Sequence, residues 1–298
     1  MKTIFVATDF SKASRNAAVF GVQLAKAFEA KLILFHAYQI PLTSPDWPVM
    51  VNKEDIILLI EHQLRDEVAA INKPGIVVET IHEEGPVQDL IIVKANSLNA
   101  DILVAGMKAK GKGIRKLFGS TITGLKKETK VPLIVIPEDA TAELPETIAL
   151  ASEIDLDSNL QFLQVLQKIS KKLSSKLCIV RVNKAAQKDS EEMETYPRSL
   201  STVILNVKHE FKERKDRHVN RALQNFIKEN NVGMLAMISH KHPIVERLFL
   251  KSNIKEMIFN CSIPLLILPD IHNEYQNAME QNTIQLRPMK EEEEYLIY

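Results

Sequence analysis

Residues 4–9 read Ile-Phe-Val-Ala-Thr-Asp, a short apolar run that ends in a carboxylate. The same plan returns 144 residues later, where residues 148–153 read Ile-Ala-Leu-Ala-Ser-Glu. A later apolar run also occurs twice, because residues 132–137 (Pro-Leu-Ile-Val-Ile-Pro) match residues 264–269 (Pro-Leu-Leu-Ile-Leu-Pro). Self-similarity of this kind indicates that one folding plan is repeated along the chain.

Each copy alternates short Val/Ile/Leu-rich runs with helical patterns, which is typical of a parallel sheet covered by helices on both faces. In the first copy the expected strands are 3–8, 31–37, 76–82, 101–106 and 132–136. The expected helices are 12–29, 53–71, 87–98 and 119–129. The helix after the first strand of each copy should bury one apolar stripe: Ala17, Phe20, Val22, Leu24 and Ala25 in the first, and Leu160, Phe162, Leu163, Leu166 and Ile169 in the second. The predicted fold class is α/β, with two tandem doubly wound, Rossmann-like domains of five parallel strands each.

The length of 298 residues suits two domains, which we place at 1–139 and 145–270, joined by a short linker from Asp139 to Pro145. Residues 271–298 form an acidic tail with a net charge of −4, and we expect it to be peripheral.

Charge and composition exclude several classes of protein. The chain has 38 basic and 38 acidic side chains, so it lacks the basic excess that wholesale binding to nucleic acid or an anionic membrane needs. No apolar run approaches the roughly 20 residues of a membrane-spanning helix, and the first residues have no signal-peptide pattern. Two cysteines, Cys178 and Cys261, cannot build a disulfide framework, so we expect a cytoplasmic protein with reduced, buried thiols.

The segment richest in potential chemistry follows the fourth strand. Residues 104–121 read Val-Ala-Gly-Met-Lys-Ala-Lys-Gly-Lys-Gly-Ile-Arg-Lys-Leu-Phe-Gly-Ser-Thr. Glycines let backbone N–H groups approach an anion closely, and a helix that begins at Gly119-Ser120-Thr121 could hold a phosphate. The alternative is an ordinary solvated turn with a serine N-cap.

At these residues the sequence resembles the universal stress protein family, whose nucleotide-binding members carry Gly-x2-Gly-x9-Gly-Ser/Thr after the fourth strand. Here the pattern reads Gly106, two residues, Ala109, nine residues, then Gly119-Ser120, so alanine replaces one glycine. Asp9 matches the family's aspartate after the first strand, and His36-Ala37 match its His-Val-like pair. The resemblance covers residues 1–270 as a tandem pair and implies a fold like that of adenine nucleotide alpha hydrolases.

The resemblance also implies a ligand: ATP or another adenine nucleotide in the first domain, with no metal beyond Mg²⁺ carried by the nucleotide. Asp9 would meet the adenine and ribose end. Gly106, Gly119, Ser120 and Thr121 would meet ribose and phosphates. The full set of expected binding residues is Asp9, Ala37, Gly106, Ala109, Gly111, Gly119, Ser120 and Thr121.

The equivalent stretch of the second half has lost every glycine. Ile238 stands for Gly106, Lys241 for Ala109 and Lys251 for Gly119. A β-branched side chain cannot supply the same amide cradle, so we expect this half to have lost such a site.

Other candidate sites are weak. His240 and His242 lack a third ligand in sequence, so no metal site is predicted. His36 ends a strand and is expected to be a hydrogen-bonded structural histidine. The sequence contains no nucleophile elbow, no metalloprotease motif and no paired carboxylates at an identifiable site, so no catalytic residue is assigned.

The resemblance leaves three functions open. The first is a stress-response regulator whose first domain binds an adenine nucleotide. The second is an interaction scaffold that binds no nucleotide. The third, and weakest, is a slow ATPase. Since single-domain members of the family dimerise through the last strand, we expect 132–136 and 264–268 to pair antiparallel as an intramolecular pseudo-dimer. A further homodimer would use another surface.

Overall fold

The computed structural model describes residues 1–40, 52–71, 74–108, 129–152, 160–183, 204, 206–239 and 261–269. The first half contains, in chain order, β1 (Thr3–Ala7), α1 (Lys12–Phe28), β2 (Lys31–Tyr38), α2 (Lys53–Ile71), β3 (Val78–Glu84), α3 (Val87–Ser97), β4 (Ile102–Met107) and β5 (Leu133–Pro137). The second half contains β6 (Thr147–Ser152), α4 (Leu160–Leu173), β7 (Lys176–Asn183), β8 (His209–Lys215), α5 (Val219–Glu229), β9 (Met234–Ser239) and β10 (Leu265–Pro269).

The ten strands of the described residues form one continuous sheet in the order β3-β2-β1-β4-β5-β10-β9-β6-β7-β8. Strands within each half are parallel. Only β5 and β10 run antiparallel, with Val135 opposite Leu265, Ile134 opposite Leu266 and Leu133 opposite Ile267. The α/β class, the tandem arrangement and the predicted pairing of the two last strands are therefore confirmed.

The predicted elements of the first half lie within two residues of the observed ones. Every residue of β5 is buried, which explains why this strand is apolar without alternation. The exception is the helix expected at 119–129, because residues 109–128 lie outside the described part of the chain. The acidic tail, 271–298, also lies outside it. The domain limits remain predictions.

The core has two layers, one on each face of the sheet. One layer lies beneath α1, α2 and α4 and includes Ile134 of β5 and Leu266 of β10, so it continues from one half into the other. The second layer lies beneath α3 and α5. The predicted stripe of α1 is buried throughout, and so are Leu163, Leu166 and Ile169 of α4. Pairing of β5 with β10 covers two apolar edges that would otherwise invite aggregation.

The linker between the halves is fixed to α1 by hydrogen bonds. The Asn16 side-chain amide donates to the carbonyl oxygens of Pro137 at 3.1 Å and Ala140 at 2.9 Å, and Gln23 donates to the carbonyl of Ala142. One helix of the first half therefore holds the segment that leads into the second half.

None of the described helices is both long enough and apolar enough to cross a membrane.

Candidate functional site

The strand order places a topological switch point, which we call the cleft, between the carboxyl ends of β1 and β4. From β1 the chain winds outward through β2 and β3, and from β4 it winds the opposite way to β5. Ligands of open α/β sheets bind at such a switch point, outside the carboxyl ends of the strands. Asp9 follows β1 and Gly106 lies near the end of β4, so the structure brings these two predicted residues to the same point.

The turn after β1 is tightly ordered by its own polar groups. Phe10 has a φ of 61°, the left-handed region that bulky residues seldom adopt. Its N–H donates to Thr8 Oγ1 at 3.1 Å, which helps to hold this conformation. Ser11 is the N-cap of α1, and its hydroxyl accepts a hydrogen bond from the Ser14 N–H. The turn therefore presents Asp9 immediately before the N-terminus of a helix.

Asp9 is accessible to solvent although its carboxylate is partly buried, and its ionised form is favoured. Its Oδ1 accepts a hydrogen bond from the Ser11 N–H at 3.1 Å. Partial burial raises the pKa of Asp9, but hydrogen bonds from Ser11 and Ser14 and the nearby Lys108 charge together lower it below its ordinary value. The cleft thus offers a hydrogen-bond acceptor to the amino or hydroxyl groups of a ligand.

Gly106 is required by packing between α1 and β4. A Cβ at this position would lie 2.3 Å from the carbonyl carbon and oxygen of Ala13, and 2.6 Å from the Ser14 nitrogen. Contacts this short with backbone atoms cannot be relieved by a rotamer change, so any side chain would push the first turn of α1 away. The sequence suggested that a glycine is needed at position 106 for ligand binding. The structure shows that the close packing of α1 on β4 requires this glycine even without a ligand.

His36 and Ala37 lie near the end of β2, beside the turn. His36 Nδ1 lies 2.8 Å from the Thr8 carbonyl oxygen, and its ring packs on Phe10 with centroids 4.4 Å apart. Burial lowers the pKa of His36 despite the Thr8 hydrogen bond and the Asp9 charge. The prediction of a hydrogen-bonded structural histidine is confirmed. Ala37 is half-buried and pairs with Glu83 of β3.

The other five predicted binding residues cannot be placed. Ala109, Gly111, Gly119, Ser120 and Thr121 lie outside the described residues. The described part of the site is therefore the end of the cleft that carries the Asp9 carboxylate, formed by the turn after β1 and the end of β4.

The equivalent point of the second half, between β6 and β9, differs in one decisive position. Ile238 pairs with Leu268 of β10 as Gly106 pairs with Ile136 of β5. The Ile238 side chain is buried, so a helix cannot approach β9 there as closely as α1 approaches β4. Because β5 and β10 are antiparallel, the strands of the two halves point in opposite directions. The carboxyl ends of the strands, and with them the two switch points, therefore lie on opposite sides of the sheet.

Sequence reasoning missed two polar interactions of α1. The Ser14 hydroxyl lies within the turn that carries Asp9, and the only sequence signal is a serine three residues after the N-cap. Arg15 Nη2 lies 2.7 Å from Oε2 of Glu67, a carboxylate only 1% exposed. Glu67 occupies the buried stripe of α2, between Leu64 and Ile71, and a carboxylate on an apolar stripe is the signal that a buried acid has a basic partner.

Among the described residues, no group of three or more His, Cys, Asp or Glu side chains could hold a metal. His240 and His242 lie outside those residues.

Both cysteines are buried and free, as predicted. Burial, with a 3.0 Å contact between Cys178 Sγ and Glu210 Oε1, raises the pKa of the Cys178 thiol to about 12, so it is a poor nucleophile.

The elements that form the cleft lie in the part of the chain that matches a known protein family. Residues 1–137 match the model of the universal stress protein family. A universal stress protein from Synechocystis is 27% identical over 138 residues, which cover 46% of this chain and 85% of that protein. The crystal structure of a universal stress protein from Archaeoglobus fulgidus has a TM-score of 0.71 at 17% identity and covers 90% of this chain and 98% of its own. A putative universal stress protein from Pseudomonas aeruginosa has a TM-score of 0.59 at 10% identity and covers 94% and 98%. At these identities the two structures show a shared fold across both halves.

Proposed function

We propose that this chain, whose residues 1–137 match the universal stress protein family, is a stress-response regulator that binds an adenine nucleotide in its first half. The ligand is ATP or a related adenine nucleotide, and any Mg²⁺ enters with the phosphates. The protein acts by binding, with no catalytic step of its own. It works in the cytoplasm, through domains at 1–139 and 145–270 and a peripheral tail at 271–298.

The observation that carries this proposal is the position of Asp9. Its carboxylate is ionised, accessible to solvent and held at the switch point beside the N-terminus of α1. An acceptor of this kind fits the hydroxyl and amino groups of a nucleoside, while the glycine-rich segment that follows β4 suits phosphates. Those residues therefore fit an adenine nucleotide. In the second half Ile238 fills the place of Gly106, so we assign one nucleotide to each chain.

A second candidate function is a scaffold that binds proteins and no nucleotide. One observation favours it: the contact of α1 with β4 fully accounts for Gly106, so that glycine is not by itself a sign of a ligand. The two functions differ in a direct measurement of nucleotide binding.

Isothermal titration calorimetry with ATP, ADP and AMP separates the two functions. We expect one nucleotide site per chain. Asp9→Asn should weaken the affinity at least tenfold, because a hydrogen bond to a charged group contributes about 1.5 kcal/mol or more and a tenfold change in Kd corresponds to about 1.4 kcal/mol. Asp101→Asn is the matched control, because Asp101 lies at the opposite edge of the same sheet and accepts hydrogen bonds from the N–H groups of Lys2 and Thr3. Absence of heat with all three nucleotides at millimolar concentration would favour the scaffold.

A further inference from the structure

Ser14 occupies the junction of the turn after β1, helix α1 and strand β4. It is 4% exposed. Its hydroxyl oxygen accepts a hydrogen bond from the Asp9 N–H at 3.3 Å and lies 3.2 Å from Thr8 Oγ1. The hydroxyl donates to the Ser11 carbonyl at 3.0 Å, and the Ser14 N–H donates to Ser11 Oγ at 3.3 Å. One side chain therefore contacts three residues of the turn that carries Asp9.

The position of Ser14 is fixed from the side of the sheet as well. Its backbone nitrogen lies 2.6 Å from the point that a Cβ on Gly106 would occupy. This close approach leaves α1 no freedom to move towards β4. The hydroxyl is thus a rigid anchor for the Asp9 backbone.

The hydroxyl of Ser14 serves the turn rather than the helix. Alanine favours helix formation more than serine does and would fill nearly the same volume. Every partner of the Ser14 side chain lies at residues 8–11, outside α1. A purely structural requirement of the helix would be met by alanine.

We propose that Ser14 is a positioning residue, whose hydroxyl accepts the Asp9 N–H and thereby fixes Asp9 at the switch point beside the N-terminus of α1. The consequence for ligand binding rests on the proposed nucleotide function, whereas the consequence for Asp9 itself does not.

Titratable groups on neighbouring elements act on Asp9 and must be held constant in any test. Lys108, after β4, lowers the pKa of Asp9, and His36 of β2 interacts with the Asp9 charge. A substitution at Ser14 changes none of these charges.

The test compares Ser14→Ala with Ser170→Ala in the full-length chain. Ser170 is a fully buried serine of α4, in the other half, and its hydroxyl has no partner among the described residues. The Asp9 carboxyl is titrated by NMR with ¹³C-labelled aspartate, and its signal is assigned with Asp9→Asn. ATP affinity is measured by calorimetry between pH 4 and pH 8.

We expect Ser14→Ala to raise the pKa of Asp9 and Ser170→Ala to leave it unchanged. Because a lowered pKa keeps Asp9 ionised as the pH falls, its rise in Ser14→Ala moves the acid limit of ATP binding to higher pH. At neutral pH the affinity falls about fivefold, the effect of one net hydrogen bond. If Ser14→Ala does not fold, Ser14→Cys preserves the volume, offers a poorer acceptor and should raise the pKa of Asp9 as well.

Two results would overturn different statements. An Asp9 pKa that is unchanged in a folded Ser14→Ala or Ser14→Cys variant refutes the positioning role, whatever the protein binds. Failure of the wild-type protein to bind ATP refutes the proposed function, and the NMR titration still decides the role of Ser14.

Discussion

Replacement of Gly106 by alanine tests how closely α1 approaches β4. The new Cβ would lie 2.3 Å from the Ala13 carbonyl carbon, whereas ordinary contacts begin near 3.4 Å. The first turn of α1 must therefore retreat by roughly 1 Å, since the obstructing atoms belong to the backbone. Overpacking of a well-packed core costs about 1–3 kcal/mol, and we expect the upper part of that range here because no side chain can rotate away.

Equilibrium unfolding in urea, followed by circular dichroism, measures this effect. A loss of about 2–3 kcal/mol corresponds to a fall in Tm of roughly 3–5 °C for a protein of this size. Gly75→Ala is the control: nothing lies within 4 Å of its added Cβ, and its φ of 86° leaves only backbone strain. We expect that control to lose about 1 kcal/mol. If the Gly106→Ala protein unfolds within 0.5 kcal/mol of the wild type, the close contact of α1 with β4 is wrong.

Three further predictions concern the ion pair of α1, the contact between the halves and one buried thiol. Arg15→Ala removes the partner of the buried Glu67 carboxylate and should cost about 2 kcal/mol in urea unfolding, more than Glu67→Gln does; equal costs would argue against this ion pair. A double variant, Ile134→Cys with Leu266→Cys, should form a disulfide under mild oxidation because the two residues are opposite each other in β5 and β10, and persistence of both thiols in the folded protein would contradict that register. Cys178 should resist Ellman's reagent at pH 8 until the protein unfolds, and labelling of the native state would refute its burial. Its raised pKa favours the folded state below pH 9, and that contribution is lost as the pH rises from about 9 to about 12.

Much of the fold could be predicted because the determining signals are local. Strands β1 and β5 are unbroken apolar runs, and a strand that is buried on both faces requires such a run. The repeat then supplied a partner for the bare edge of β5, so the pairing with β10 followed from the need to satisfy its backbone groups. The hydrogen bonds from α1 to the linker could not be predicted, because residues more than a hundred positions apart meet only in the folded chain.

The candidate site was less predictable, because its details depend on distances between elements. Asp9 was identified from its place after the first strand, whereas the network around Ser14 depends on how the turn folds back on α1. Gly106 was identified because a glycine lets backbone N–H groups approach a ligand closely. In the structure, however, the space that a Cβ would fill is occupied by backbone atoms of α1. A sequence shows that a side chain is absent, and only the packing shows which atoms need the room.

The most direct test of the nucleotide proposal is a crystal structure of the full chain grown with saturating ATP. We predict one nucleotide per chain at the carboxyl ends of β1 and β4, with its base or ribose within hydrogen-bonding distance of the Asp9 carboxylate. The cleft between β6 and β9, where Ile238 is buried, should hold none. Nucleotide in the second half alone, or none in either half at saturating concentration, would contradict the account.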